Sequence, residues 1–189
     1  MFEPVADMLT SNCFRFMDGQ RIFTTVQPQE LMDWLADKGH LDTLEWFHAQ
    51  RSEGCTTAAM DRAATNGHIA VVEWLHKNRG EGCTRVAMDG AASGDHIDVV
   101  EWLHKNRREG CTIHALGNAI RQGHLTVAKW LKANRSEGCS ADAVYQGLCD
   151  DVPGMIEWLR EAMPNLVQYA LCLKGGLGGS DRVSSIWDT

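Results

Sequence analysis

The sequence Glu53-Gly54-Cys55-Thr56 returns three times, each time 28 residues further along the chain. The later copies are EGCT at 81–84, EGCT at 109–112 and EGCS at 137–140. Tryptophan keeps the same spacing, at Trp46, Trp74, Trp102, Trp130 and Trp158. A fixed period of this length indicates stacked copies of one supersecondary unit. We therefore expect five copies, from about residue 28 to about residue 164.

Each copy has the pattern of two short helices. In the third copy, Thr84 is a suitable N-cap, and the apolar residues after it have the three-and-four spacing of one helical face. This helix should end at Gly94 or Asp95, where the neighbouring copies have a glycine suited to a left-handed C-cap. The second helix should begin near His96, and the residues that we expect it to bury are Ile97, Val100, Leu103 and, beside them, Trp102.

The cysteine of the repeated motif precedes each predicted N-cap. Cys83, with Met88 at the fourth helical position, has the arrangement of a hydrophobic staple. The alternative is a thiolate activated by the helix N-terminus. Stacked helices lie about 8–10 Å apart, which is too far for a disulfide between equivalent cysteines. The staple predicts buried, unpaired thiols that react slowly with alkylating agents.

The run from Ala63 to Leu75, AATNGHIAVVEWL, resembles the middle of an ankyrin repeat: paired alanines, Gly-His, paired valines and then leucine. It is echoed at 91–103, and the resemblance covers all five copies. The family's Thr-Pro-Leu-His opening is replaced by TTAA at 56–59, and the period is 28 instead of about 33. The resemblance therefore implies an all-α solenoid of stacked helix-turn-helix repeats, with short loops and little or no β-hairpin.

Several polar positions also recur in every copy. The resemblance implies that four histidines bond the local backbone where the second helices begin: His40, His68, His96 and His124. Three more lie near the ends of those helices, where a protonated ring suits the helix dipole, with a pH sensor as the alternative: His48, His76 and His104. Arg79 and Glu81, with their equivalents, are expected to form screened surface pairs worth little. The repeated tryptophans are expected to belong to the interfaces between neighbouring copies.

The chain as a whole divides into three predicted segments. These are an N-terminal capping segment at 1–27, five ankyrin-like repeats at 28–166, and a degenerate C-terminal cap with a glycine-rich tail at 167–189. Charged residues interrupt the first 30 positions, and no run approaches the ~20 apolar residues of a membrane helix. We therefore expect a monomeric intracellular protein, cytoplasmic or nuclear, that does not enter a membrane.

The sequence contains no recognisable catalytic, phosphate-binding or metal-binding motif, so we expect no enzymatic activity, no cofactor and no metal. Function should lie where the copies differ, and the resemblance places such positions on a concave surface that binds proteins. The predicted partner-binding residues are Arg62, Thr65, Arg85, Ser93, Ile113, His114, Asn118, Arg121, Tyr145 and Gln146.

The predicted function is that of a scaffold or adaptor for protein partners. The three arginines of this surface could pair with acidic groups, and Ile113 and Tyr145 could supply apolar anchors. The alternative is a helical-repeat protein that binds single-stranded nucleic acid. A formal net charge of −7, from 18 basic and 25 acidic residues, disfavours nucleic acid as the partner.

Overall fold

The structure is a computed structural model that describes residues 28–50, 54–150 and 152–175. The predicted capping segment 1–27 and the predicted tail from residue 176 onward lie outside the described residues. Within the described ranges the chain forms eleven helices and no strand. They are α1 Pro28–Asp37, α2 Leu41–Gln50, α3 Thr57–Thr65, α4 Ile69–Asn78, α5 Arg85–Ser93, α6 Ile97–Asn106, α7 Ile113–Arg121, α8 Leu125–Asn134, α9 Ala141–Cys149, α10 Met155–Ala162 and α11 Pro164–Gly175.

The helices pair in chain order, so that α1 and α2 form copy 1, and α9 and α10 form copy 5. The first helices of the copies pack side by side, and α11 packs against α9 in the same layer. Each second helix packs on the first helix of its own copy, while neighbouring second helices touch each other far less. The prediction of an all-α solenoid with short loops is confirmed.

The ends of the first helices follow the predicted local chemistry. The hydroxyl of Thr84 accepts a hydrogen bond from the backbone nitrogen of Val86, which confirms it as the N-cap of α5. The left-handed residue after the first helix is a glycine in copies 1, 2 and 4, such as Gly67 with φ 74°. In copy 3 this residue is Asp95, with φ 62°. Aspartate is among the few non-glycine residues that adopt this conformation with modest strain.

The core lies between the two helix layers and repeats from copy to copy. In copy 3 it consists of seven residues that are at most 2% exposed: Ala87, Met88, Ala91, Ala92, Val99, Val100 and Leu103. Ile97, which we expected to be buried, is only half-buried because it lies in the first turn of α6. The valine pair and the leucine fill the space against α5 instead.

The prediction that the tryptophans belong to the interfaces between copies is confirmed for Trp74, Trp102 and Trp130, although none of the three is fully buried. Trp74 and Trp102 are half-buried, and Trp46 is 41% exposed. Trp74, Trp102 and Trp130 each form a T-shaped ring contact with a histidine on the second helix of the preceding copy. The centroid distances are 5.2 Å for His48 and Trp74, 5.2 Å for His76 and Trp102, and 5.1 Å for His104 and Trp130. The tryptophans therefore bridge neighbouring copies while one side stays open to solvent.

Candidate protein-binding surface

Aspartates on the first helices bind the N-cap of the following copy. Asp61 Oδ1 accepts a hydrogen bond from the Thr84 backbone nitrogen at 2.7 Å, and Asp61 Oδ2 accepts one from the Thr84 hydroxyl at 2.7 Å. The same two bonds recur in two other pairs, Asp33 with Thr56 and Asp89 with Thr112. Both oxygens of each carboxylate are thus used in stacking, a role that the sequence reasoning missed.

In the described residues, the arginine of three links contacts a histidine of the preceding copy. Arg79 Nη1 donates to His48 Nδ1 at 2.9 Å, and Arg79 Nη2 donates to Glu81 Oε1 at 3.0 Å. The same Glu81 oxygen accepts from the backbone nitrogen of Cys55 at 3.1 Å. The prediction of screened surface pairs is wrong, because the Arg79 side chain is only 11% exposed. Equivalent clusters join Arg107 with His76 and Glu109, and Arg135 with His104 and Glu137.

These contacts determine the hydrogen-bonding role of the histidine at the end of each second helix. A guanidinium group can only donate hydrogen bonds, so Nδ1 of His48 must accept and carries no proton. The His48 ring therefore connects two copies. Its interaction with the helix dipole stays a prediction.

Neighbouring hydrogen-bond donors also lower the pKa values of the glutamates in these clusters. A hydrogen bond from Arg135 lowers the pKa of Glu137 below its usual value. Burial acts to raise the pKa of Glu81, but backbone hydrogen bonds and Arg79 outweigh it, so that this pKa is also lowered. Both carboxylates are held in the charged form that the arginines bind.

The glycine of the repeated motif is required by its backbone and by the arginine of the next copy. Gly82 has φ 77° and Gly110 has φ 74°, in the left-handed region that favours glycine. A Cβ at Gly82 would also collide with Arg107 Nη2 of the next copy. The repeated Glu-Gly-Cys-Thr sequence is therefore explained by stacking between copies.

The cysteines of the motif are part of the core. Cys55, Cys83 and Cys111 are at most 8% exposed and are free thiols. Burial raises the pKa of each to about 11, and a nearby glutamate raises it further while an arginine acts in the opposite direction. The geometry and the protonated state favour the staple over a reactive thiolate.

The histidines that begin the second helices also connect neighbouring copies. His68 Nε2 lies 3.1 Å from the backbone oxygen of Asp37, and His124 Nε2 lies 2.9 Å from that of Ser93. Both oxygens belong to the first helix of the preceding copy. The local backbone bond implied by the resemblance is therefore wrong, and the histidine side chains do not cap their own helices.

The predicted partner-binding residues all lie on first helices or at their ends. We call the exposed side of α3, α5, α7 and α9 the first-helix face. Seven of the ten residues are exposed there: Arg62, Thr65, Arg85, Ile113, His114, Arg121 and Gln146. The other three are half-buried: Ser93, Asn118 and Tyr145.

Some of these side chains also make bonds within their own helix. The Thr65 hydroxyl donates to the Asp61 backbone oxygen at 2.8 Å, and Arg121 Nε donates to the Gly117 backbone oxygen at 3.4 Å. A hydrogen bond with Cys149 raises the pKa of Tyr145. The guanidinium of Arg121 is thus oriented along α7, with its outer nitrogens available.

Val86 is a surface residue that the site prediction omitted. It is 58% exposed, and Ile113 on the next first helix is 48% exposed. The signal was present in the sequence, because the equivalent positions are Ala58, His114 and Asp142 and therefore vary freely. The face consequently has two exposed aliphatic side chains rather than one.

Neither a cluster of metal ligands nor a membrane-spanning helix occurs in the described ranges. No group of three or more histidine, cysteine, aspartate or glutamate side chains there is placed to hold a metal ion. None of the helices in residues 28–50, 54–150 and 152–175 is long and apolar enough to cross a membrane.

The fold and its variable surface define a helical repeat protein whose copies stack through shared side-chain bonds. The family model described as ankyrin repeats (many copies) matches residues 32–76 and 83–131, which correspond to copies 1 and 2 and to copies 3 and 4. The chain belongs to the ankyrin-repeat family. No curated protein matches the sequence. Ankyrin repeats are generally modules for protein–protein interaction, and proteins of the family are typically binding scaffolds.

Proposed function

We propose that this chain is a non-enzymatic scaffold or adaptor that binds protein partners through a concave first-helix face. One observation supports the proposal most directly. The positions that connect the copies repeat, as in Asp61 with Thr84 and Arg107 with His76, whereas the exposed first-helix positions change. Side chains that stacking does not constrain are those that a partner can select.

The face is large enough for a protein partner. A standard interface buries roughly 800 Å² on each side, which two or three adjacent copies could supply. Arginine is enriched among the residues that dominate interface energy, and exposed arginines occur on this face together with exposed aliphatic side chains. The proposal includes a monomeric chain that acts in the cytoplasm or nucleus without a cofactor.

Affinity purification with a matched control tests this function. The test variant is Arg62→Glu, Arg85→Glu, Arg121→Glu, and the control reverses three exposed charges on second helices: Lys77→Glu, Lys105→Glu and Lys129→Glu. We expect the control to retain the partners of the native chain and the test variant to lose them, with both folded by circular dichroism. Equal partner sets for all three proteins would contradict the proposed face.

A further inference from the structure

We infer that the first-helix face of α3, α5 and α7 binds an acidic peptide segment that carries an aliphatic side chain. This inference rests on the proposed function and specifies the chemistry of the partner. It follows from three properties of these helices: exposed arginines, carboxylates that are already used in stacking, and exposed aliphatic side chains.

The positive charge of this surface contrasts with the rest of the chain. The protein has a formal charge of −7, yet Arg62, Arg85 and Arg121 are all exposed on consecutive first helices. None of the ion pairs that the structure shows in residues 28–50, 54–150 and 152–175 includes any of the three. Their charge is therefore available to a partner.

No open carboxylate neutralises these arginines from within the same helices. The only acidic residues of α3, α5 and α7 are Asp61 and Asp89. Both oxygens of each accept hydrogen bonds from the next threonine N-cap. At the equivalent position of α7 the residue is Gly117. A partner that approaches α3, α5 and α7 therefore meets exposed arginines, while both carboxylates of these helices are bound to the next copy.

Acidic residues occur on α1 and α9, the first helices on either side of α3, α5 and α7. Glu30 lies on α1, and Asp142 lies on α9. An acidic partner segment is therefore attracted to α3, α5 and α7 and repelled beyond them. This charge pattern limits both the length and the placement of the segment.

The exposed aliphatic side chains indicate that the partner carries an apolar residue as well as negative charge. Val86 on α5 corresponds in the repeat to His114 on α7, and Ile113 precedes His114. The two aliphatic side chains therefore occupy neighbouring positions on adjacent helices, next to Arg85. An aliphatic residue of a bound peptide can contact one of these side chains while its carboxylates pair with the arginines.

The distance from α3 across α5 to α7 fits an extended peptide. Two steps between stacked helices cover about 16–20 Å at the usual interhelical distance. An extended chain advances about 3.3 Å per residue, so about six residues span this distance. A nucleic acid shares the negative charge, but α3, α5 and α7 contain no phenylalanine, tyrosine or tryptophan on which bases could stack.

Peptide selection tests the inference. Random peptides of about twelve residues, twice the number that spans α3 to α7, would be displayed on phage and selected on the native chain. The Arg62, Arg85, Arg121 charge-reversal variant and the Lys77, Lys105, Lys129 control would be selected in parallel. We expect the native chain and the control to enrich acidic peptides with an aliphatic residue, and the arginine variant not to enrich them.

Binding of the best selected peptide, labelled with fluorescein, then separates charge from apolar contact. We expect the arginine variant to weaken binding about 100-fold or more, Val86→Ser with Ile113→Ser to weaken it about tenfold, and added salt to weaken it for the native chain. The two serine substitutions affect exposed positions, so folding should be retained.

Enrichment of neutral or basic peptides, equal enrichment on the arginine variant, or no enrichment at all would overturn the inference. So would tighter binding of a labelled single-stranded RNA than of the best peptide. If the arginine variant loses its protein partners but peptide selection shows no acidic preference, only the inference fails. If the partner sets of the three proteins are equal, the proposed function fails as well.

Discussion

The boundaries between copies 1 to 4 differ from the boundary between copies 4 and 5. At each of the first three, a first-helix aspartate binds a threonine N-cap and an arginine binds a histidine of the preceding copy. At the fourth, Gly117 replaces the aspartate, Val152 replaces the histidine that begins the second helix, and Met163 replaces the arginine. These polar contacts therefore stop where copy 5 begins.

The fourth boundary substitutes close apolar packing for the missing bonds. Ile120 is fully buried, and a Cβ on Gly147 would overlap its Cγ2 atom. At the two preceding boundaries both equivalent positions are alanine: Ala64 with Ala91 and Ala92 with Ala119. One repeat fold thus joins its copies either by directional hydrogen bonds or by a large residue against a glycine.

The largest effect is expected from the apolar pair of the fourth boundary. Ile120→Ala removes a buried side chain and should lower the free energy of unfolding by about 2–4 kcal/mol. Gly147→Ala should lower it by about 1–3 kcal/mol, because the new Cβ collides with Ile120. The double variant recreates the alanine pair, so its loss should be smaller than the sum. Urea denaturation measures all three, and additive losses would contradict the packing described here.

A smaller effect is expected from the polar boundary between copies 2 and 3. Asp61→Ala removes two charge-assisted hydrogen bonds to Thr84 and should cost about 2 kcal/mol. Asp61→Asn keeps one acceptor oxygen, so it should cost less. The same denaturation experiment applies, and equal stability of Asp61→Ala and the native chain would show that these bonds contribute nothing.

The local helix pattern could be predicted from the sequence to a considerable extent. The period, the Thr84 N-cap and the left-handed position at Asp95 follow from spacing and side-chain chemistry within one copy. Contacts such as Arg79 with His48 could not be predicted in this way, because their partners are 31 residues apart and meet only when two copies stack. The repetition of both residues showed an architectural role but not that they bind each other.

The candidate surface was predictable in part for a related reason. Variation between copies identified positions that stacking leaves free, and exposed Arg62 and Ile113 are among them. Variation alone did not rank these positions by exposure, so Val86 was omitted. Nor could variation show that the carboxylates of Asp61 and Asp89 already accept hydrogen bonds from the next copy, since those bonds depend on how the helices are oriented.

Introducing the polar contact at the fourth boundary should raise the free energy of unfolding by about 1 kcal/mol. Gly117→Asp places a carboxylate opposite Ser140, as Asp89 lies opposite Thr112. The control Gly117→Ala should gain about 1 kcal/mol of stability from helix propensity alone. Any cost of the 3.3 Å contact between its new Cβ and Ala143 reduces this gain. We expect the aspartate variant to exceed the alanine variant by about 1 kcal/mol in urea denaturation. Equal stability of the two variants would mean that Ser140 does not donate the hydrogen bonds that threonine donates at the other boundaries.

The last prediction concerns thiol reactivity and involves no change in stability. The pKa of Cys83 is raised by burial to about 11 from an ordinary value of 9.0, which reduces its thiolate fraction about 100-fold near pH 8. Cys149 is exposed, whereas Cys139, at the fourth boundary, is half-buried.

Iodoacetamide should therefore label Cys149 first, Cys139 more slowly and Cys83 last, as followed by peptide mass spectrometry under native conditions. In urea the three rates should converge, which controls for local sequence effects. Labelling of Cys83 as fast as Cys149 in the folded protein would contradict the staple. Labelling of Cys139 as slow as Cys83 would show that the apolar fourth boundary excludes reagents as well as the polar ones do.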